Sequence, residues 1–246
     1  MPGIDIGFAG VSKEYPDGTV AVDNLDLEVR GGELLCLVGP SGCGKSTTLR
    51  MVNRLVEPTA GTIAVGGEDI MDRDPVDLRR HIGYVIQHVG LCPHRTVAQN
   101  VATVPGLLRW DKDKTRDRVD DLLELVGLPH STYGGRYPHE LSGGERQRVG
   151  VARALATEPP VLLMDEPFGA VDPQGRRRLQ TEFAQIQREL GTTVMLVTHD
   201  IREAALLGDR VAVFSRGGVL EQLDAPAEVT ESPANDFVAD FVADFG

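Results

Sequence analysis

The period of hydrophobic and polar positions changes along the chain, and each change predicts a different element. Residues 4–15, IDIGFAGVSKEY, and 19–30, TVAVDNLDLEVR, alternate apolar with polar side chains, the pattern of half-buried antiparallel strands. A Gly-Gly pair at 31 and 32 turns the chain into ELLCLVG, residues 33–39, whose apolar run fits a central strand buried on both faces. Residues 45–55 read as a helix and GTIAVGGEDI, 61–70, as a hairpin. From about 88 to 158 the helical period dominates, with Val119, Leu122, Leu123 and Val126 on one face of DKDKTRDRVDDLLELVG and charges opposite. Three further apolar runs, VLLMDE (161–166), TTVMLVTHD (192–200) and RVAVFS (210–215), are separated by helical stretches such as RRRLQTEFAQIQREL (176–190). Strands alternating with helices predict an α/β fold around a mostly parallel sheet covered on both faces. The tail DFVADFVADF places Phe237, Phe241 and Phe245 on one stripe of a packed terminal helix.

Composition narrows what such a fold does. With 246 residues, 41% hydrophobic and 25% charged, the chain is expected to form one folding unit with a full core. A net charge of −12 opposes both a nucleic-acid backbone and loose docking on anionic lipid, so no nucleic-acid partner is expected. Cys36, Cys43 and Cys92 are odd in number and too widely spaced for a zinc cluster, which suits a reducing, cytoplasmic compartment. His81, His88, His94, His130 and His139 likewise show no metal-ligand spacing. The N-terminus lacks a basic region followed by an apolar core, and no apolar run reaches the ~20 residues that cross a bilayer. Work at a membrane would therefore need another chain to cross it.

The chemistry concentrates in three segments. GPSGCGKST comprises Gly39, Pro40, Ser41, Gly42, Cys43, Gly44, Lys45, Ser46 and Thr47, and it lies between the buried strand and a helix. Backbone N–H groups of such a loop converge into an anion nest, and the helix behind adds the positive end of its dipole. Lysine then reaches the β and γ phosphates while the serine hydroxyl binds Mg²⁺; the expected ligands are a nucleoside triphosphate and magnesium. VLLMDE puts Asp165 and Glu166 at the carboxyl edge of a strand, where open α/β sheets bind ligands. Asp165 is suited to the Mg²⁺ shell and Glu166 to polarising an attacking water. In LSGGERQRV (141–149), Ser142 and Glu145 form an ordinary capping box. Yet Gly143 and Gly144 also leave the helix N-terminus bare enough for an anion, and both readings stand together.

Taken in order, GPSGCGKST, LSGGE, VLLMDE and VTHD resemble the ATPase subunit of ATP-binding cassette (ABC) transporters over nearly the whole chain. The resemblance implies a P-loop NTPase core of the ABC type with an N-terminal antiparallel β subdomain. It also implies the division of 1–246 into a nucleotide-binding core, about 1–87 and 159–246, and a helical signature subdomain, about 88–158. Tyr15 resembles the aromatic that stacks on adenine, and Gln87 in YVIQH the glutamine that senses Mg²⁺ and water. Asp172 in GAVDP resembles the D-loop aspartate, with Gly169 and Val171 where serine and leucine are commoner, and His199 the switch histidine that contacts the γ-phosphate. The implied machine is a homodimer in which the phosphate loop of one copy and Ser142, Gly143 and Gly144 of the other enclose ATP. It would sit on the cytoplasmic face of the membrane against permease subunits, through HVGLCPHRTVAQNV (88–101), and indirectly serve a substrate-binding protein.

Residues 51–70 and 78–102 are most similar to ATPases of importers for osmoprotectants such as glycine betaine, carnitine, choline or proline. Import of another small polar solute such as an amino acid, or a soluble non-transport role, remains as the alternative. Many such ATPases carry a C-terminal pair of CBS domains, for which the residues up to Gly246 leave no room.

Overall fold

A computed structural model describes residues 3–87, 90–169 and 171–245. The chain opens with β1 (Ile6–Glu14) and β2 (Val20–Val29), followed by β3 (Leu34–Val38), α1 (Lys45–Val52), β4 (Ala60–Val65), β5 (Glu68–Asp69), α2 (Pro75–Arg80) and β6 (Ile82–Val85). A helical stretch comes next: α3 (Val97–Val101), α4 (Thr103–Leu107), α5 (Lys112–Leu125), α6 (His130–Tyr133) and α7 (Gly143–Leu155). The remainder alternates as β7 (Val161–Asp165), α8 (Pro173–Leu190), β8 (Thr193–Val197), α9 (Ile201–Leu207), β9 (Arg210–Ser215), β10 (Val219–Asp224), α10 (Pro226–Glu231) and α11 (Asp236–Phe245).

Two sheets result. The first has strand order β2-β1-β4-β5, antiparallel throughout, and the second has order β10-β9-β3-β8-β7-β6. In the second, all pairs from β9 to β6 are parallel and only the edge strand β10 runs opposite. Strands β3, β7 and β8 are buried at every residue, as continuous apolar runs require. Their alternate side chains enter two different cores. Leu35, Leu37, Leu163, Met195 and Val197 join α1 and the antiparallel sheet, whereas Leu34, Cys36, Leu162, Met164, Val194 and Leu196 meet the helical region and α8, α9 and α11.

The strict alternation read from residues 4–30 is broken in two places. Ile6 and Phe8 point inward, but the next inward residue is Val11, because Gly10 takes a φ of +56° and shifts the register against β2. Asn24, at φ +44°, does the same between Val22 and Leu25. Each is a bulge that adds a residue and re-aims the strand beyond it. Gly61, at φ +78°, meets the carbonyl of Gly10 so closely that a Cβ there would collide with it.

Other elements differ from the sequence pattern for identifiable reasons. The first helix stops at Val52 rather than near residue 55, since Arg54 adopts φ +53° and its guanidinium donates to the carbonyls of Ile70 and Arg73 at 3.3 and 2.8 Å. Strands β6 and β10 were not apparent in the sequence: β6 is four residues long, and β10 is a partly exposed edge. The Gly66-Gly67 hairpin pairs Val65 with Glu68, both glycines having positive φ, as a two-residue turn requires. Val119, Leu122, Leu123 and Val126 are all buried. Phe241 is buried and Phe237 packs beside it, whereas the side chain of Phe245 lies outside the described residues.

Phe183 of α8 is 1% exposed and meets Phe168 edge to face at 6.1 Å between ring centroids, just beyond the acid pair. Phe183→Ala is expected to lower the unfolding free energy by about 3–5 kcal/mol, measurable by urea denaturation.

Candidate functional site

The carboxyl ends of β3, β7 and β8 bring the singled-out residues together. Gly39 leaves β3 at φ +144°, and a Cβ there would strike the carbonyl oxygen of Phe214; one on Gly44, at φ +98°, would strike that of Ala21. Only glycine satisfies both positions. Among the described residues no hydrogen bond takes up the backbone N–H groups of Gly42, Gly44, Lys45, Ser46 or Thr47. These unpaired donors gather at the head of α1, an arrangement suited to an anion, and are called the cradle below. Lys45 lies within it, 7% exposed, donating to the carbonyls of Gly39 and Pro40 at 2.8 and 2.9 Å and to Cys43 Sγ at 3.4 Å. Thr47 Oγ1 is 3.4 Å from the hydroxyl of Tyr15, and Lys13 Nζ stands 5.3 Å from the centre of the Tyr15 ring.

Asp165 ends β7 with 1% exposure. The Ser46 hydroxyl donates to its Oδ1 at 2.8 Å and the Arg50 guanidinium to its Oδ2 at 3.2 Å. The Tyr84 hydroxyl, a hydrogen-bonding partner, together with nearby Asp165, holds the Arg50 guanidinium above its usual range. Burial in turn raises Tyr84. Neither Arg50 nor Tyr84 was singled out from the sequence. A signal existed for Arg50, four residues after Ser46 and so one helical turn along the same face.

Glu166 faces differently. Its backbone turns to φ +48° while its N–H donates to the carbonyl of Val197 at 3.0 Å. That turn sets the carboxylate between Gln87 Nε2 and His199 Nδ1, each 3.3 Å away on separate oxygens. His199 is flanked by anchored neighbours: the Thr198 N–H donates to Leu37 O at 3.1 Å, and the Asp200 N–H to the Thr198 hydroxyl at 3.1 Å. Beneath them Gln180 of α8 donates at 2.6 Å to Glu203 of α9, both buried, and desolvation raises the Glu203 carboxyl. Sequence reading missed this support because glutamine and glutamate on helices are ordinarily surface residues.

Ser142 caps α7 as the S-x-x-E spacing predicts, accepting from Glu145 N at 3.3 Å while Glu145 Oε2 accepts from Ser142 N at 2.7 Å. That backbone hydrogen bond holds the Glu145 carboxyl below its usual range. Gly143 and Gly144 open the helix, and among the described residues no hydrogen bond joins residues 142–144 to the Lys45, Asp165 and Glu166 group. Asp172 caps α8, accepting from Gly175 N at 2.9 Å. In the segment 88–101, His88 and Val89 lie outside the described residues, as does Ala170 within GAVDP. Buried Asn100 holds the chain between Cys92 and Thr96, donating to the carbonyls of Cys92, Arg95 and Thr96 and accepting from the Cys92 N–H.

A family model described as ABC transporter matches residues 22–169, which span the anion cradle and the acid pair. The chain belongs to the ABC transporter family. It is 53% identical over 94% of its length to the glycine betaine/carnitine/choline transport ATP-binding protein OpuCA of Bacillus subtilis, covering 60% of that protein. It is 54% identical over 90% of its length to the osmoprotectant import ATP-binding protein OsmV of Salmonella typhimurium, covering 58%. To the glycine betaine uptake system ATP-binding protein YehX of Escherichia coli it is 51% identical over 96% of its length, covering 76%. The chain thus spans about three fifths of the length of the first two relatives. Among solved structures, a dimeric ATP-binding cassette in a post-hydrolysis state with ADP and Pi superposes with a TM-score of 0.82 at 31% identity, over 90% of this chain and 98% of that one. A subunit of the cbiONQ ABC transporter complex of Clostridium perfringens gives 0.83 at 30% identity, over 93% and 91% of the two chains. No helix among the described residues of this cassette is long and apolar enough to cross a membrane.

The loop also buries a thiol. Cys43, though it lies within the glycine-rich loop, is fully buried beneath the Lys45 ammonium. Cys36 is buried as well and Cys92 only half-buried. Titration of the native cassette with a disulfide reagent is expected to modify Cys92 rapidly, with Cys36 and Cys43 reacting only after denaturation; rapid modification of Cys43 in the native protein would contradict the packed loop.

Proposed function

We propose that this cassette binds and hydrolyses ATP as the peripheral, cytoplasmic-side subunit of an importer for a quaternary-amine osmoprotectant. The observation that carries the reading is the convergence of Lys45, Ser46 and Asp165 on one side of the cradle with Glu166, Gln87 and His199 on the other. Relatives that match more than nine tenths of the chain at 51–53% identity and whose names specify glycine betaine, carnitine or choline support the solute class. Others, named for spermidine/putrescine and sulfate/thiosulfate import, are 47% and 49% identical, so import of a different small solute is the second reading.

In this reading the free amides of Gly42 to Thr47 and the Lys45 ammonium receive the β and γ phosphates, displacing Lys45 from its internal carbonyl partners. Gly39, Pro40, Ser41 and Cys43 shape the loop, and Tyr15 stacks on the base. Ser46, Asp165 and Gln87 present hard oxygen donors that suit Mg²⁺; bound there, the ion neutralises phosphate charge. Glu166, turned away from Asp165, is left to orient and deprotonate the attacking water. His199, tethered to Glu166, contacts the terminal phosphoryl group. The bare head of α7, with Ser142, Gly143 and Gly144, completes the site of a second copy, and Asp172 lines the junction between copies. The matched cassette with ADP and Pi, described as dimeric, supports that pairing. Residues of about 1–87 and 159–246 then act as the nucleotide-binding core, and about 88–158 as the signature subdomain that meets the permease, which a substrate-binding protein supplies.

Lys45→Ala is expected to abolish ATP hydrolysis and, in cells, uptake of radiolabelled glycine betaine; hydrolysis at the wild-type rate would refute the phosphate assignment. Glu166→Gln is expected to slow hydrolysis by roughly 10²–10⁴-fold and to accumulate as a dimer in MgATP. A Glu166→Gln protein that elutes as a monomer during size exclusion in MgATP would argue against the two-copy site.

A further inference from the structure

Three elements carry the residues assigned to magnesium: Ser46 on α1, Asp165 on β7 and Gln87 just beyond β6. A single side chain that has no part in that assignment touches or faces all three elements. Arg50 grows from α1 one turn after Ser46, donates to Asp165 Oδ2 at 3.2 Å, and faces the Tyr84 hydroxyl on β6. Tyr84 and Leu163 are paired across the parallel β6–β7 ladder, so the guanidinium lies across neighbouring strands as well as its own helix.

The division of the Asp165 carboxylate is specific. Oδ1 faces the Ser46 hydroxyl and Oδ2 the arginine. A carboxylate with 1% exposure is shielded from bulk water, and a buried acceptor left without a donor is costly. Arg50 removes that cost at Oδ2 and thereby fixes the rotation of the carboxylate about its last bond. Oδ1 is then presented to Ser46 in one orientation. The Arg50 side chain is 45% exposed, so its substitution removes no packing from the core.

We propose that Arg50 is a positioning residue that orients Asp165 toward the Ser46 hydroxyl, and that divalent-cation binding with nucleotide depends on it. The inference rests on the reading of this site as an ATP and Mg²⁺ site. It goes beyond that reading by making the cation affinity depend on a residue that touches neither phosphate nor metal. The alternative effect of Arg50, competition of its charge with the cation, is the weaker one, because that charge is already shared with a buried carboxylate. Removal of Arg50 therefore weakens cation binding.

The test is Mn²⁺ titration with ADP, read by electron paramagnetic resonance, for wild type, Arg50→Met and Arg50→Lys. A fluorescent ATP analogue is titrated in parallel in EDTA. Arg50→Met is expected to bind Mn²⁺ on the order of ten-fold more weakly, the scale of losing a group that orients a metal ligand. Metal-free nucleotide binding should be unchanged, and Arg50→Lys should recover part of the loss. Mn²⁺ affinity in Arg50→Met equal to or tighter than wild type would overturn the proposal. Equal weakening of metal-free nucleotide binding would do so too, since it would show a general structural role. Absence of Mn²⁺–ADP binding by the wild type would overturn the nucleotide reading and this inference together.

Discussion

A carboxylate almost wholly removed from water, Asp165, is the constraint around which the site is assembled. Burying an unpaired charge is among the most unfavourable events in folding, so the end of β7 is tolerated only where donors meet it. Ser46 and Arg50 supply them from successive turns of α1. Ser46, in the first turn of α1, ties that helix to the end of β7 beside the loop of Gly39 to Gly44, in which Gly39 and Gly44 approach the carbonyls of Phe214 and Ala21 too closely for any side chain. The loop and the acid thus share one anchor, the Ser46 hydroxyl.

Adjacent acids acquire opposite environments at this point. Asp165 is the last residue of a strand and points into the protein. Glu166, one residue later, enters the left-handed region and turns toward Gln87 and His199. A left-handed non-glycine residue carries a strain of about 1–3 kcal/mol, and here it is held by the bond from Glu166 N to the neighbouring strand β8. The split suits the division of labour proposed for the pair, one carboxylate holding a cation and the other handling a proton. His199 reaches Glu166 only because Thr198 and Asp200 on either side of it are pinned.

Much of this was legible beforehand, and for physical reasons. A strand buried on both faces must be apolar throughout, so β3, β7 and β8 stand out. The capping box at Ser142 and the glycine turn at 66 and 67 are local events, completed within a few residues, and the structure forms both. What escaped the reading is non-local or breaks the period. The bulges at Gly10 and Asn24 reverse strand parity without any change in residue class. Strand β6 is too short to show a period, and β10 exists by pairing with β9. The burial of Cys43 has no signal in its neighbours, which are glycines and serines. In space the lysine two residues on folds back over it.

By itself the sequence determined the central strands β3, β7 and β8 with the helices between them, the glycine-rich loop between β3 and α1, and the acid pair at a strand end, since each follows from side-chain period and short-range backbone chemistry. Tertiary structure alone decided which donors meet those groups: Arg50 and Tyr84 beside Asp165, Gln87 and His199 about Glu166, Gln180 under Glu203. These partners come from segments 23 to 115 residues apart. No periodicity spans such distances, and only the packing of two cores on opposite faces of one sheet brings the segments together.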